Sequence, residues 1–362
     1  MKLVIDARES GSTTGRYVDK LIEHLAKLSP GFKVVVLTKS PRVEFIKQIA
    51  PNFTVIKSDY KEFTMAEQLG LAWQLYKLRP SLVHFSMPQQ PLLYFGKSVT
   101  TFHDLTTTRF TNPAKNWLVF KFKQLVYRRV IWWAAHKSKA LLTISRFTKS
   151  DVVNFTHIDP AKITVAHLAA DKITDPATPV KGVEAGNFIM YVGRPLPHKN
   201  LDRLIDAFAE LKTQHPSLQL VLAGKKDELF SQIEARVKQR GIKDVVFTGF
   251  VSEGGLRWLY EHTSAYVFPS LSEGFGLPGL EALVHGAPVV SSNATCLPEI
   301  YGEAAHYFDP LSVSDMASKI NDVLSSKDLR QKLIKNGHAQ AAKYSWDKTA
   351  KQTWAVYKKF IW

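Results

Sequence analysis

The chain has 362 residues, 45% of them hydrophobic, enough for two ordinary domains with cores of their own. Its one cysteine, Cys296, excludes an internal disulfide and a cysteine metal cage, and suits a reducing compartment. The net charge is +16, and no apolar run approaches the roughly 20 residues of a membrane span, so a cytoplasmic protein is expected, soluble or peripheral on the inner face of the cell membrane.

The charge is uneven: residues 1–170 hold 25 Lys/Arg against 11 Asp/Glu, and residues 171–362 hold 23 against 21. The first half is therefore the part expected to meet an anionic partner, such as a membrane surface. It begins with Lys2-Leu3-Val4-Ile5-Asp6, charged and strand-like rather than a secretory leader. Phe32–Leu37 reads as the next parallel core strand, and between them Tyr17, Val18, Leu21, Leu25 and Leu28 mark a helix, one βαβ unit. Its first loop, Ser10 to Tyr17 with Gly15, sits where a doubly wound sheet places ligands, although an ordinary connection reads the same way. Further strands are expected at Asn52–Ile56, Leu82–Phe85 and Ser98–Phe102, the last ending in His103-Asp104. Such a pair suits a capped turn as well as a catalytic site.

Residues 113–139 are dense in aromatics and cations, among them Trp117, Phe120, Lys121, Phe122, Lys123, Tyr127, Arg128, Arg129, Trp132, Trp133, Lys137 and Lys139. Two helices with snorkelling cations account for this, and so does a membrane-surface patch. Leu141–Ser145 is the next strand, and Arg146 opens a helix.

Ile173–Asn187, with two prolines and two glycines, is the linker expected between a domain over 1–172 and one over 173–345. The sheet pattern then restarts at Phe188–Val192, followed by Gly193-Arg194-Pro195-Leu196-Pro197-His198-Lys199-Asn200. Asn200 reads as an N-cap of the helix whose stripe is Leu201, Leu204, Ile205, Phe208 and Leu211. Arg194 and Lys199 thus flank a proline-stiffened loop at a helix start, two fixed cations for a diphosphate without a metal. No Asp-x-Asp pair stands in a comparable loop. Strands follow at Gln219–Gly224 and Val245–Val251.

After the strand Ala265–Pro269 comes Ser270-Leu271-Ser272-Glu273-Gly274-Phe275-Gly276-Leu277-Pro278-Gly279-Leu280-Glu281, running into a helix. Two carboxylates eight positions apart repel phosphate but suit the paired hydroxyls of a sugar or a ribose. Pro288–Ser292 is one more strand, and Trp346–Trp362 reads as an amphipathic closing helix.

These residues together resemble the family-four retaining glycosyltransferases, most specifically from Phe188 to about Asp309. Phe102-His103-Asp104-Leu105 and Ile144-Ser145-Arg146-Phe147 are similar to the mannosyltransferase branch. The resemblance implies an α/β GT-B fold: two facing Rossmann-like domains with parallel sheets, a cleft between them, and the 346–362 helix crossing back to the first. It implies transfer of a hexose, mannose first, from a nucleotide diphosphate sugar (GDP-mannose foremost) to a glycan or lipid-linked acceptor in polysaccharide or cell-surface glycan synthesis. The new bond would be α, formed with retention and without a metal or other cofactor.

By the same resemblance, Arg194 and Lys199 neutralise the leaving diphosphate after Gly193, and Glu281 binds the ribose. Glu273, with Gly274, Phe275, Gly276 and Leu277, holds the hexose; Gly249, Phe250 and Val251 meet the base; and His103 contacts the sugar at the reaction centre. The family's glycine-x-glycine before Arg-Tyr is here Thr13-Thr14-Gly15-Arg16-Tyr17, so Gly15 alone supplies close backbone approach to the donor. A sugar-nucleotide epimerase or glycan phosphorylase would share the fold. A nucleic-acid-binding protein would share the basic half, but no nucleic-acid motif is present and no such partner is expected.

Overall fold

The structure is a computed structural model that describes residues 1–12, 14–28, 31–106, 109 and 117–362, with 117–123 described in backbone alone. Thr13 and the side chains of Trp117, Phe120, Lys121, Phe122 and Lys123, singled out above, lie outside the described residues. The chain divides into two compact units, Met1–Leu168 with Ser345–Trp362, and Ala169–Tyr344. The proline- and glycine-containing stretch after Ile173 is held to the second unit, Ile173 N–H donating to His285 Nε2 (3.0 Å) and Thr178 N–H to Gly254 O (3.0 Å).

Among the described residues, the first unit has seven strands: β1 (Lys2–Asp6), β2 (Lys33–Thr38), β3 (Thr54–Lys57), β4 (Leu82–Phe85), β5 (Ser98–Phe102), β6 (Ala140–Thr143) and β7 (Ile163–Val165). They pair in parallel in the order β3-β2-β1-β4-β5-β6-β7. Leu3, Val4 and Ile5 of β1 are buried, as a parallel sheet covered on both faces requires. The chain leaves β1 in one direction and returns to its other side at β4. The loops after β1 and β4 therefore diverge and open a crevice at the strands' carboxyl ends.

The second unit repeats the plan with β8 (Phe188–Val192), β9 (Gln219–Ala223), β10 (Val245–Gly249), β11 (Ala265–Phe268), β12 (Val289–Ser292) and β13 (Ala305–Phe308), in the order β10-β9-β8-β11-β12-β13. Its reversal falls between β8 and β11, so the loop Gly193–Asn200 and the loop that starts at Pro269 flank one crevice.

The closing helix Trp346–Phe360 belongs to the first unit. There Asp347 pairs with His24 (2.6 Å) and Trp354 stacks on Phe32 (ring centroids 4.7 Å). Residues Trp117–Lys137 form one helix, where two were expected, because no glycine or proline interrupts them. Among the described residues no helix is long and apolar enough to cross a membrane.

Candidate active site

At the second unit's crevice, three loops converge on Glu273. Leu271 N–H donates to His198 O (2.7 Å), which joins the loop after β11 to the loop after β8. The loop after β12 supports the same place: Glu273 N–H donates to Thr295 Oγ1 (3.1 Å), and Cys296 Sγ donates to Glu273 O (3.3 Å). The carboxylate itself takes the Lys199 ammonium, with Nζ 2.5 Å from Oε1. The residues assigned to diphosphate and to hexose are therefore direct neighbours, brought together across 74 positions of sequence.

Asn200 explains how Lys199 is held. It stands before the helix Leu201–Leu211 but makes no side-chain cap, correcting the expectation above. Its backbone is left-handed (φ 60°), and its buried amide instead donates to Pro269 O (3.0 Å) and Pro310 O (2.8 Å). The two amide donors stitch the loop after β8 to the loop after β11 and to the loop after β13. Arg194 is placed differently: its Nε donates to Asp227 Oδ2 (3.0 Å), and its side chain is 63% exposed against 17% for Lys199. Arg194 thus sits at a rim and Lys199 within.

The glycines carry geometry as well. Gly193 (φ 143°) and Gly276 (φ 84°) hold backbone conformations that side chains disfavour. A Cβ on Gly276 would overlap the Tyr301 hydroxyl, which donates to Gly276 O. That contact fixes Gly276 immediately before the helix Leu277–Val284, whose early turns carry Pro278 and Gly279. Glu281 is buried on this helix and accepts from Tyr260 Oη (3.3 Å). Burial pushes the hydroxyls of Tyr191, Tyr266 and Tyr301 well up, and the nearby Glu273 adds to this at Tyr191. All three stay neutral.

Gly249 (φ 70°) ends β10 beside Phe250, which is 83% exposed, and Val251, which is partly buried. A shallow hollow lies at the same sheet end, lined by Gly224, Lys226, Phe230, Phe247 and Gly249.

In the first unit, His103 follows β5. Its Nε2 lies 2.9 Å from Ser86 O; a carbonyl only accepts, so Nε2 carries the proton and Nδ1 is the ring's acceptor. Burial lowers the His103 pKa, which keeps the ring neutral. Its edge meets Tyr17 (centroids 4.9 Å apart, planes at 79°). Tyr17 in turn starts a buried chain of hydrogen bonds that the sequence did not disclose. Tyr17 Oη lies 2.9 Å from Thr101 Oγ1, Thr101 Oγ1 lies 2.8 Å from His84 Nε2, and His84 Nδ1 lies 2.5 Å from Tyr357 Oη of the closing helix. Asp104, by contrast, accepts from Thr106 N–H (2.8 Å), the capped turn. Gly15 opens the helix Gly15–Lys27, and a Cβ there would overlap Glu9 O, so tight loop packing already demands glycine. Among the described residues no group of three or more His, Cys, Asp or Glu is gathered for a metal.

Known proteins resemble this chain over most of its length. The model of glycosyltransferase family 4 matches residues 14–172, and that of glycosyl transferases group 1 matches 178–340. O-antigen chain mannosyltransferase B of Escherichia coli is 28% identical over 302 residues, 79% of this chain and 76% of that protein. The MMP alpha-(1->4)-mannosyltransferase of Mycolicibacterium hassiacum is 32% identical over 233 residues, 63% of this chain and 56% of that protein. Among solved structures, Anabaena HepE in complex with UDP and glucose superposes with a TM-score of 0.76 at 16% identity, over 99% of this chain and 100% of that one, a likeness of fold.

Proposed function

The chain belongs to the family-four glycosyltransferases, and from that premise we propose that it moves a hexose, mannose first, from a nucleotide diphosphate sugar to a glycan or lipid-linked acceptor, forming an α bond with retention. The observation that carries the reading is the Lys199–Glu273 pair held at the second sheet's reversal by three loops. An ammonium has three donors, so Lys199 can keep Glu273 and still bind a phosphate oxygen. Arg194, at the rim, swings from Asp227 to the same diphosphate, and the two cations stabilise the charge that grows on the leaving group. That is where an oxocarbenium-like transition state gains most, and it needs no metal. The C1–O bond to the diphosphate breaks, the acceptor oxygen bonds C1 on the same face, and the acceptor's proton leaves with the diphosphate.

Glu273, with the backbone of Gly274, Phe275, Gly276 and Leu277, takes the hexose hydroxyls, and Glu281 takes the ribose. Gly193 lets the backbone approach the phosphates. Gly249, Phe250 and Val251 meet the base, with the exposed Phe250 ring as a stacking face. His103 accepts a sugar hydroxyl at Nδ1, and Gly15 keeps its loop close to the donor. The mannosyltransferases among its relatives favour mannose; the HepE complex is the reason to test UDP sugars as well. A lipid-carried acceptor has to be met at a bilayer, and the basic first half fits an anionic one.

A thermal-shift screen of GDP-mannose, UDP-glucose and related donors, followed by transfer assays, tests the reading. Stabilisation by one donor, lost in Arg194→Ala and Glu281→Ala, is expected. No response to any sugar nucleotide ends it.

A further inference from the structure

The first unit presents a bare apolar face made of residues that the candidate site does not use. The helical turns from Glu67 to Leu78 bury Leu71, Ala72 and Leu75 in a core with Val4, Val35 and Phe85. The opposite side is apolar too. Met65 is 70% exposed and Trp73 58%, with Leu69 and Tyr76 exposed between and beyond them, at helical spacing. A neighbouring loop extends the face. Tyr94 is buried while Leu93 and Phe95 on either side point out, Phe95 71% exposed. Tyr76 locks the two parts together, its hydroxyl donating to Leu93 O (2.9 Å) and accepting from Phe95 N–H (3.0 Å). Six large apolar side chains thus form one braced surface, of a kind soluble monomers rarely leave bare.

From Met65 to Phe95 the sequence holds one acid, Glu67, which is buried on Arg8 (3.0 Å), and the acids just before it, Asp59 and Glu62, are each paired with a lysine. Lys77 lies over the Trp73 ring (3.5 Å to the centroid), and Arg79 and Lys97 are exposed. Aromatic rings with cations beside them match a bilayer interface, where rings sit at headgroup depth and cations meet lipid phosphates. A second copy of the chain would set like charges against each other.

We infer that Met65, Leu69, Trp73, Tyr76, Leu93 and Phe95 form a docking face that seats the first unit on an anionic lipid bilayer, the apolar side chains entering the interface and the flanking cations meeting headgroup phosphates. The contact stands on exposure and charge; its use in reaching a lipid-borne acceptor rests on the transfer reading above.

The test is flotation of the full chain with phosphatidylcholine vesicles, with and without phosphatidylglycerol. Binding to the anionic vesicles is expected, with part of it surviving high salt because apolar insertion is not screened. Met65→Ser/Trp73→Ser/Phe95→Ser should lower partitioning at least about 10-fold, and Lys77→Glu less. Phe95→Ser alone, in a loop, keeps the test alive should the triple variant misfold by circular dichroism. Wild type that ignores anionic vesicles overturns the proposal. So do variants that bind as well as wild type, and so does a wild-type dimer in sedimentation that the triple variant disperses. Vesicle binding with no sugar transfer to any acceptor leaves the face standing and removes only the transfer reading.

Discussion

Both sheets reverse their strand order beside their first strand, and both gather candidate residues at the carboxyl ends there, but with opposite chemistry. In the second unit the side chains are charged: Lys199 on Glu273 and Arg194 on Asp227. Around His103 in the first unit they are neutral, a buried run of Tyr17, Thr101, His84 and Tyr357 leading to its edge, and the buried charges at the end of β1, Asp6, Arg8 and Glu67, are paired with one another. The same topology offers the same place twice, and side-chain chemistry decides its use. Ion pairs at a crevice can be opened by an anion that offers better partners. A saturated network of hydroxyls and imidazole has nothing to exchange, and its contribution is order.

That contrast breaks most visibly at Lys199. Lys199→Ala should lower kcat/KM for transfer by about 10²–10³, in keeping with the loss of one charge stabiliser, while leaving Glu273 without its counter-ion. Steady-state kinetics with the donor found by screening measures it, and a change under threefold would place the diphosphate elsewhere.

In the first unit the large effect should be on stability instead. Tyr357→Phe strands a buried His84 nitrogen and should cost about 1–3 kcal/mol in urea unfolding. Nucleotide binding by the second unit should stay as it was. An equal fall in both would make the network part of the site rather than its support.

Acid should separate the two regions as well. Burial pushes His84 from 6.5 down to about 3, so the folded chain resists a proton that the unfolded chain accepts. Its contribution is complete above pH 6.5 and is lost as pH falls from there toward about 3, at no more than about 1.4 kcal/mol per pH unit. Unfolding midpoints across that range should show the decline, and His84→Gln should flatten it.

The smallest expected effect is at the exposed pair. Asp227→Asn keeps the cap that the side chain gives to Phe230 N–H and should shift stability by less than about 1 kcal/mol. Releasing Arg194 should modestly tighten binding of a nucleoside diphosphate by calorimetry, and weaker binding would assign Asp227 a role of its own.

Much of the fold was legible because parallel strands buried on both faces read as unbroken apolar runs, as Leu3-Val4-Ile5 and Val34-Val35-Val36 do. The edge strands Ile163–Val165 and Ala305–Phe308 were missed because three or four residues carry too little pattern. At the candidate site, residue types and loop positions were readable, but pairings were not. Glu273 and Lys199 were given separate ligands because nothing local says that two loops 74 residues apart converge. Asn200 was read as a cap, since a left-handed residue with its amide turned to two distant carbonyls looks the same in sequence. The apolar face was hidden for another reason. Around Trp73 the helix is apolar on both sides, and periodicity cannot say which side the sheet covers.

By itself, then, the sequence determined the alternation of strand and helix, the glycine-bearing loops with their acids and cations, and the basic first half, since each is a local pattern or a sum. Tertiary structure alone decided that Lys199 meets Glu273, that Tyr357 reaches His84 across 273 positions, and that Trp73 and Phe95 stay uncovered. Those are outcomes of chain crossing and packing, set by which surfaces the sheets bury, and no stretch of sequence carries them.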